Sequence, residues 1–414
     1  MNILYHHRTR GQHVEGVHIR GIVNALRELG HDVSVMSFPG ADPEHGHAKP
    51  AGSGVGAGTA TGAASVAAAP AAPVASGGTG QRGLAAMVTK LPGVVFEMFE
   101  LLYNLVTFVR MGRAWRATPP RLVYERYSLF LFATVWMARR RGIPIVLEIN
   151  DSALVERVRP LKMKRLAQRV ERWCFRRATG LVFISTYFRD KAVEAYGAIA
   201  PSVISPNAVD LPAFDPAKYD RDALRAARGL TGRTVCGHIG VFAHWHGVDA
   251  FVEAIANRLD QAPGLALVFV GDGKTLPAVR DLVAARGLSE RVLLPGRVPH
   301  DEVASWIACM DYAVLPNSNH YGSPMKLFEL MGMGVAVVAP DYAPVAEVIA
   351  DGRTGWLFPR GDAAACVERV LALASEADEQ RRVGAAARDY IASERQWRNN
   401  AEQLLTLVPA GATA

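Results

Sequence analysis

The stretch NHYGSPMKLFELMGMGVAVVAP, which ends at Pro340, holds the densest set of groups able to do chemistry. Tyr321, Gly322 and Ser323 precede Pro324, a residue suited to opening a helix, so Lys326 falls in the first turn and Glu329 follows three residues later. An ammonium beside the free backbone N–H groups of a helix start suits a diphosphate. Glu329 is a poor phosphate partner as an anion, but it can accept hydrogen bonds from ribose or sugar hydroxyls. Taken alone, Lys326 and Glu329 read equally well as a surface ion pair. The turn and apolar strand that follow favour the ligand reading, because they bring the polar groups to the ligand-binding side of a parallel sheet.

Two further stretches carry polar groups at strand ends. In GHIGVFAHWHG, His244 and His246 stand two residues apart without an acidic partner at metal-site spacing, and they suit donor phosphates or the cap of the next helix. Gly240, Gly247, Gly271 and Gly273 lack both the lysine of a phosphate-binding ATPase loop and the complete dinucleotide fingerprint, which argues against an ATPase or a dehydrogenase. In IPIVLEIND, an apolar run delivers Glu148 and Asn150 to the end of a strand. Asn150 can position a hydroxyl, but it cannot act as an ordinary general base near neutral pH.

The elements that must position these groups form two series. Residues 2–5 predict a strand, Val17, Gly21, Ala25 and Leu29 a helix stopped by Gly30, and residues 32–38 a second strand. Residues 39–83 are dominated by Ala, Gly, Ser and Pro and predict a disordered insertion. One helix then covers 84–115, with Glu97, Glu100, Asn104 and Thr107 recurring against a broad apolar face of Val94, Met98, Leu101, Leu105 and Val109. The two glutamates interrupt any membrane-spanning run. Arg110, Arg113 and Arg116, with the basic stretch 157–172, would hold that face against anionic lipid; alternatively, the face packs on protein and the charges are solvated. Glu125 and Arg126 read as orienting the YERYSLF turn, and Pro206, Asn207 and Asp210 as organising a loop. Strand signals resume at VCGHIG and LALVFVGDG. The fold class expected is α/β, with two Rossmann-like doubly wound domains at 1–210 and 211–385, followed by a helix and tail at 386–414 packing back on the first domain.

With 414 residues and half of them apolar, the chain can fill two such interiors, and its formal charge of +7 favours anionic partners. No RNP-like pair, zinc finger or paired recognition helix supports nucleic-acid binding. The four separated cysteines lack zinc or redox spacing and fit a reducing cytoplasm, and MNILYHHRTRG lacks the apolar run of a signal peptide.

The combined pattern resembles the retaining family 4 glycosyltransferases of the GT-B class. SPMKLFELMGMGVAVVAP is the most specific stretch, reinforced in order by GHIGVFAHWHGVDAFVEAI, VFVGDG, PGRVPHDEV and DGRTGWLFPRGD. The resemblance implies a nucleotide sugar as donor substrate, no separate cofactor or metal, and an interdomain cleft. It puts Gly16 in an acceptor-side phosphate loop with Glu148 and Asn150. Lys326 and Glu329 fall in the donor site with Gly240, His246, Tyr321 and Ser323; Gly271 and Gly273 shape its wall, and Arg297 and Val298 approach the base. Lys326, Glu329 and Asn150 are the residues expected at the chemistry. Two departures stand out: Tyr321 occupies the position of the first of two glutamates seven residues apart, and Asn150 replaces a common histidine. His246 stands where relatives often carry a basic residue. The expected acceptor is a saccharide or lipid-linked hydroxyl, met by a cytoplasmic enzyme peripheral on the inner face of the cell membrane; soluble small-molecule glycosylation and a non-catalytic nucleotide-sugar scaffold are the alternatives.

Overall fold

The computed structural model describes residues 1–9, 11, 13–37, 93–156 and 160–410. The insertion expected at 39–83, the start of the helix expected at 84–115, and Arg157 and Arg159 lie outside these residues. The chain forms two compact units, the first reaching Pro206 and resuming at Trp397, the second running from Asn207 to Gln396.

The first unit contains strands β1 (Asn2–His7), β2 (Asp32–Ser37), β3 (Leu122–Arg126), β4 (Ile145–Ile149), β5 (Gly180–Phe183) and β6 (Ser202–Ile204), in the spatial order β2-β1-β3-β4-β5-β6, all parallel. The second contains β7 (Thr234–Ile239), β8 (Leu265–Val270), β9 (Val292–Gly296), β10 (Tyr312–Val314), β11 (Ala336–Pro340) and β12 (Trp356–Phe358), in the order β12-β11-β10-β7-β8-β9, also parallel. The burial pattern explains the choice of parallel pairing: IVLEI, LALVFV and AVVAP are buried at every position, as strands covered on both faces must be. In the second unit, one core gathers around Leu327, Phe328 and Met331 and another around Phe251, Phe269 and Val370. These are α/β units of the doubly wound kind.

The final helix, Trp397–Leu405, belongs to the first unit. Trp397 lies edge-on to the His18 ring, 4.8 Å between centroids, and a Cβ added at Gly21 would come within 2.4 Å of the indole. Asn400 donates to the Pro206 carbonyl at 2.8 Å.

Helix Gly93–Ala117 turns the usual amphipathic arrangement round. Its polar residues face inward: the Glu97 carboxylate accepts from the Lys162 and Met163 backbone N–H groups at 2.7 and 2.6 Å, just before helix Lys164–Arg177. Asn104 accepts from Phe132 and Ala133 N–H at the start of helix Ala133–Arg141 and donates to the Phe130 carbonyl at 2.9 Å. These side chains satisfy orphan donors at two helix starts. The apolar stripe consequently faces outward among the described residues, with Val94 at 44 %, Met98 at 52 %, Leu105 at 63 % and Val109 at 52 % exposure.

Candidate active site

In a parallel sheet every strand presents its C-terminal end to the same edge, and loops there can carry reactive groups. In the second unit the loops after β7, β8 and β9 interlock by backbone contacts that only glycine permits. A Cβ on Gly271 would lie 1.7 Å from the Gly240 carbonyl oxygen, and one on Gly273 would lie 2.3 Å from that of Phe242. Gly271 N–H donates to the Gly296 carbonyl at 2.9 Å, tying in the loop that carries exposed Arg297 and half-buried Val298.

Helix Met325–Gly332 begins on this edge without a side-chain cap at Pro324; Leu327 N–H donates to the Pro324 carbonyl, which leaves the Met325 and Lys326 N–H groups for a ligand. Lys326 reaches from its first turn across the mouth of β7. Its ammonium would lie 2.5 Å from a Cβ on Gly240, whose φ is +140°, so a side chain at 240 would collide with the cation and strain the backbone. The ammonium also donates to His246 Nδ1 at 3.5 Å. Burial lowers the Lys326 pKa to about 8, with Glu329 opposing the shift, and burial raises Glu329 to about 7, with Lys326 opposing. Burial and Lys326 together draw His246 down to about 3. His246 is therefore a neutral acceptor in the free protein, and the positive charge beside Gly240 is that of Lys326.

Sequence reasoning missed His238. It is fully buried, pairs through Nδ1 with the Val314 carbonyl at 2.9 Å, and leaves Nε2 unpartnered 3.6 Å from the position of a Gly240 Cβ. Burial first, then Lys326, lowers its pKa and keeps it neutral. Ser323 is engaged within the unit: its hydroxyl accepts from Asn207 N–H at 3.0 Å, and its carbonyl accepts from the Asn207 amide at 2.7 Å. Tyr321 lies in the loop after β10, shaped by Asn319, which accepts from the Tyr321 N–H at 3.2 Å. A cavity of about 390 Å³ bounded by Tyr219, Arg225, Asp311 and Val335 opens at the other edge, by the starts of β10 and β11, away from these groups.

The first unit carries a second cluster, centred on buried Glu148 near the end of β4. Its carboxylate accepts from Arg126 Nη1 at 2.7 Å, His18 Nε2 at 3.0 Å, Tyr124 hydroxyl at 2.9 Å and Tyr5 hydroxyl at 3.4 Å. The Asn150 amide donates to the same carboxylate. Burial alone would raise the Glu148 pKa; His18 and Arg126, with hydrogen bonds from His18 and Tyr124, outweigh it and hold the carboxyl well below the usual range. Arg126, expected to orient a turn, stands opposite Glu148 in the β3–β4 register. Gly16 opens the helix that presents His18, and a Cβ there would come 2.3 Å from the Gly11 carbonyl. Buried Glu171 accepts from Ser152 hydroxyl at 2.7 Å and Ala153 N–H at 2.8 Å, fixing the chain just beyond Asn150. His18, Arg126, Tyr5 and Tyr124 were not singled out from sequence as site residues. The available signal was that NILYHH, LVYER and IVLEI each end an apolar run with ionisable groups.

The two clusters differ in kind. One offers a cation, neutral imidazoles and backbone N–H groups, suited to a diphosphate; the other fixes a carboxamide within a buried hydrogen-bonded network, suited to hydroxyls. Among the described residues, no group of three or more His, Cys, Asp or Glu could hold a metal ion.

Comparison with known proteins follows this division. Residues 15–208 match the profile of the glycosyl transferase 4-like domain, and residues 233–376 that of glycosyl transferases group 1. The chain is 28 % identical over 330 residues to 2-deoxystreptamine N-acetyl-D-glucosaminyltransferase of Streptomyces fradiae, covering 74 % of this chain and 76 % of that protein. It is 28 % identical over 244 residues to alpha-D-kanosaminyltransferase of Streptomyces kanamyceticus, covering 57 % of this chain and 63 % of the relative. In fold it is similar to sucrose-phosphate synthase from Thermosynechococcus elongatus, with a TM-score of 0.68 and 17 % identity over 98 % of each chain, and to Anabaena HepE in complex with UDP, with a TM-score of 0.66, 15 % identity and 98 % and 99 % coverage. With both doubly wound units matched in order, the chain belongs to the glycosyltransferases of the GT-B fold, in the family that joins a 4-like domain to a group 1 domain.

Proposed function

We propose that the chain transfers a sugar from a nucleotide-sugar donor to a hydroxyl acceptor with retention of anomeric configuration. The observation that carries this reading is Lys326, held against Gly240 at an uncapped helix start. In this reaction the acceptor oxygen bonds to the anomeric carbon as the bond from that carbon to the diphosphate breaks, and the hydroxyl proton passes to a phosphate oxygen. Lys326 and the first-turn N–H groups stabilise the departing charge, while Glu329 accepts from donor hydroxyls. Acceptor recognition falls to the first unit, where Glu148 fixes the Asn150 amide. No side chain in either cluster has the setting of an activated nucleophile, which favours attack on the face the diphosphate leaves. The test is the anomeric configuration of the product from a defined donor, read by NMR: retention is expected, and inversion would overturn the mechanism.

We further infer that the acceptor is met at an anionic membrane surface, as for a glycolipid or lipid-linked saccharide. The outward apolar stripe of Gly93–Ala117 supports this, since a stripe of that length on one helix suits shallow burial at a bilayer surface. No described helix is long and apolar enough to cross a membrane. Replacing Val94, Met98, Leu105 and Val109 together by serine is expected to lower vesicle binding by about 100-fold or more, as four apolar contacts are lost. Co-sedimentation checks it; unchanged binding by a folded variant would remove the membrane reading and leave sugar transfer standing.

A further inference from the structure

Three helices of the first unit pack side by side: Gly93–Ala117 against Ala133–Arg141, and that helix against Lys164–Arg177. They carry twelve Lys and Arg residues, all exposed, and their three acids are turned inward: Glu97 and Glu171 hold backbone N–H groups, and Glu100 pairs with Arg8 at 2.8 Å. The outer face is basic without interspersed acid, unlike an ordinary solvated surface.

Within it lies an open groove of about 270 Å³ lined by Trp136, Arg139, Arg140, Trp173 and Arg177, with no carboxylate. Its aromatic side runs from Trp136 to Phe108 at 5.3 Å, Phe108 to Phe132 at 6.4 Å, and Phe132 to Trp173 at 6.5 Å between centroids. Phe108 belongs to the helix with the outward apolar stripe, and its contact with Trp136 joins that helix to the aromatic side of the groove. Arg140 lies 5.0 Å over the Trp136 ring, and Arg139 is steadied by donating to the Arg177 carbonyl at 3.2 Å. Three guanidiniums gathered without a counter-anion repel one another until an anion joins them, and guanidinium forks match phosphate oxygens. Indole rings suit the boundary between headgroups and acyl chains.

We propose that this groove binds the phosphodiester headgroup of an anionic phospholipid while the neighbouring apolar stripe rests in the bilayer. The inference rests on the membrane reading above and adds a discrete headgroup site to it. The stripe supplies attraction to any bilayer, and the groove supplies the preference for negative charge.

Sedimentation with phosphatidylcholine vesicles, with and without phosphatidylglycerol, separates the two. The whole chain is compared with an Arg139→Gln, Arg140→Gln, Arg177→Gln variant and with a charge-matched Arg113→Gln, Arg116→Gln, Arg165→Gln variant, each shown by thermal melting to fold. The groove variant is expected to lose about tenfold or more of the preference for phosphatidylglycerol and keep its binding to phosphatidylcholine, while the charge-matched variant loses about threefold at most. Equal losses in the two variants, or a preference untouched in the groove variant, would overturn the headgroup site and leave the membrane reading intact. A wild-type chain that binds neither vesicle would overturn both.

Discussion

Lys326→Ala lowers kcat/KM for the nucleotide sugar by about 10–100-fold, the loss of one charge-assisted contact worth about 1.5–3 kcal/mol. The variant leaves no other cation against Gly240, because burial, the larger cause, still holds His246 and His238 below the ordinary histidine pKa. In the wild type the sign is set by the free-site value: with the Lys326 pKa at about 8, the cation is present below that pH and is lost above it. Donor affinity should therefore weaken as pH rises through about 8, and the bound phosphate should raise the Lys326 pKa. Donor titrations across that range check it, and a flat profile with a folded, fully active alanine variant would remove Lys326 from the phosphate site. Glu329→Gln should show a smaller loss, because it alters hydroxyl recognition and leaves the Lys326 ammonium in place.

Glu148→Ala destabilises the first unit by about 3–5 kcal/mol, because it strands a buried guanidinium and two tyrosine hydroxyls. The carboxylate is 1 % exposed and compensates Arg126, whose side chain has 15 % exposure. Glu148→Gln keeps the shape but not the charge, so it should cost less in stability and still release the Asn150 amide from its fixed position. The linkage follows from the depressed Glu148 pKa: its contribution is present above the ordinary carboxylate range and fades as pH falls toward its own low value. Chemical denaturation of the first unit, together with acceptor KM for the glutamine variant, tests both halves. Wild-type stability in the alanine variant would show that the network does not hold the unit together.

Much of this architecture was legible because buried parallel strands announce themselves. LALVFV and AVVAP are apolar throughout, IVLEI is interrupted only by Glu148, and Gly271 and Gly273 mark the turn after LALVFV. The donor cluster was legible because its key groups are local: Lys326 and Glu329 share one helix with a proline start. The acceptor-side cluster was less so, because its pairings are set by register. Arg126 meets Glu148 only because β3 lies beside β4, and His18 arrives from a helix more than a hundred residues upstream. Periodicity located the helix ending at Ala117 but could not say which stripe faces the core. Apolar burial would have chosen Met98 and Leu105; instead Glu97 and Asn104 face inward, since each satisfies two backbone donors at another helix start.

Sugar transfer itself is tested most directly by incubating the chain with a panel of nucleotide sugars and both membrane-lipid and soluble acceptor fractions, and reading acceptor mass. A gain of one sugar residue, dependent on the donor and sharply reduced in Lys326→Ala, is the result predicted. Donor binding without any mass gain across a broad acceptor panel would contradict the account and make the chain a nucleotide-sugar-binding scaffold.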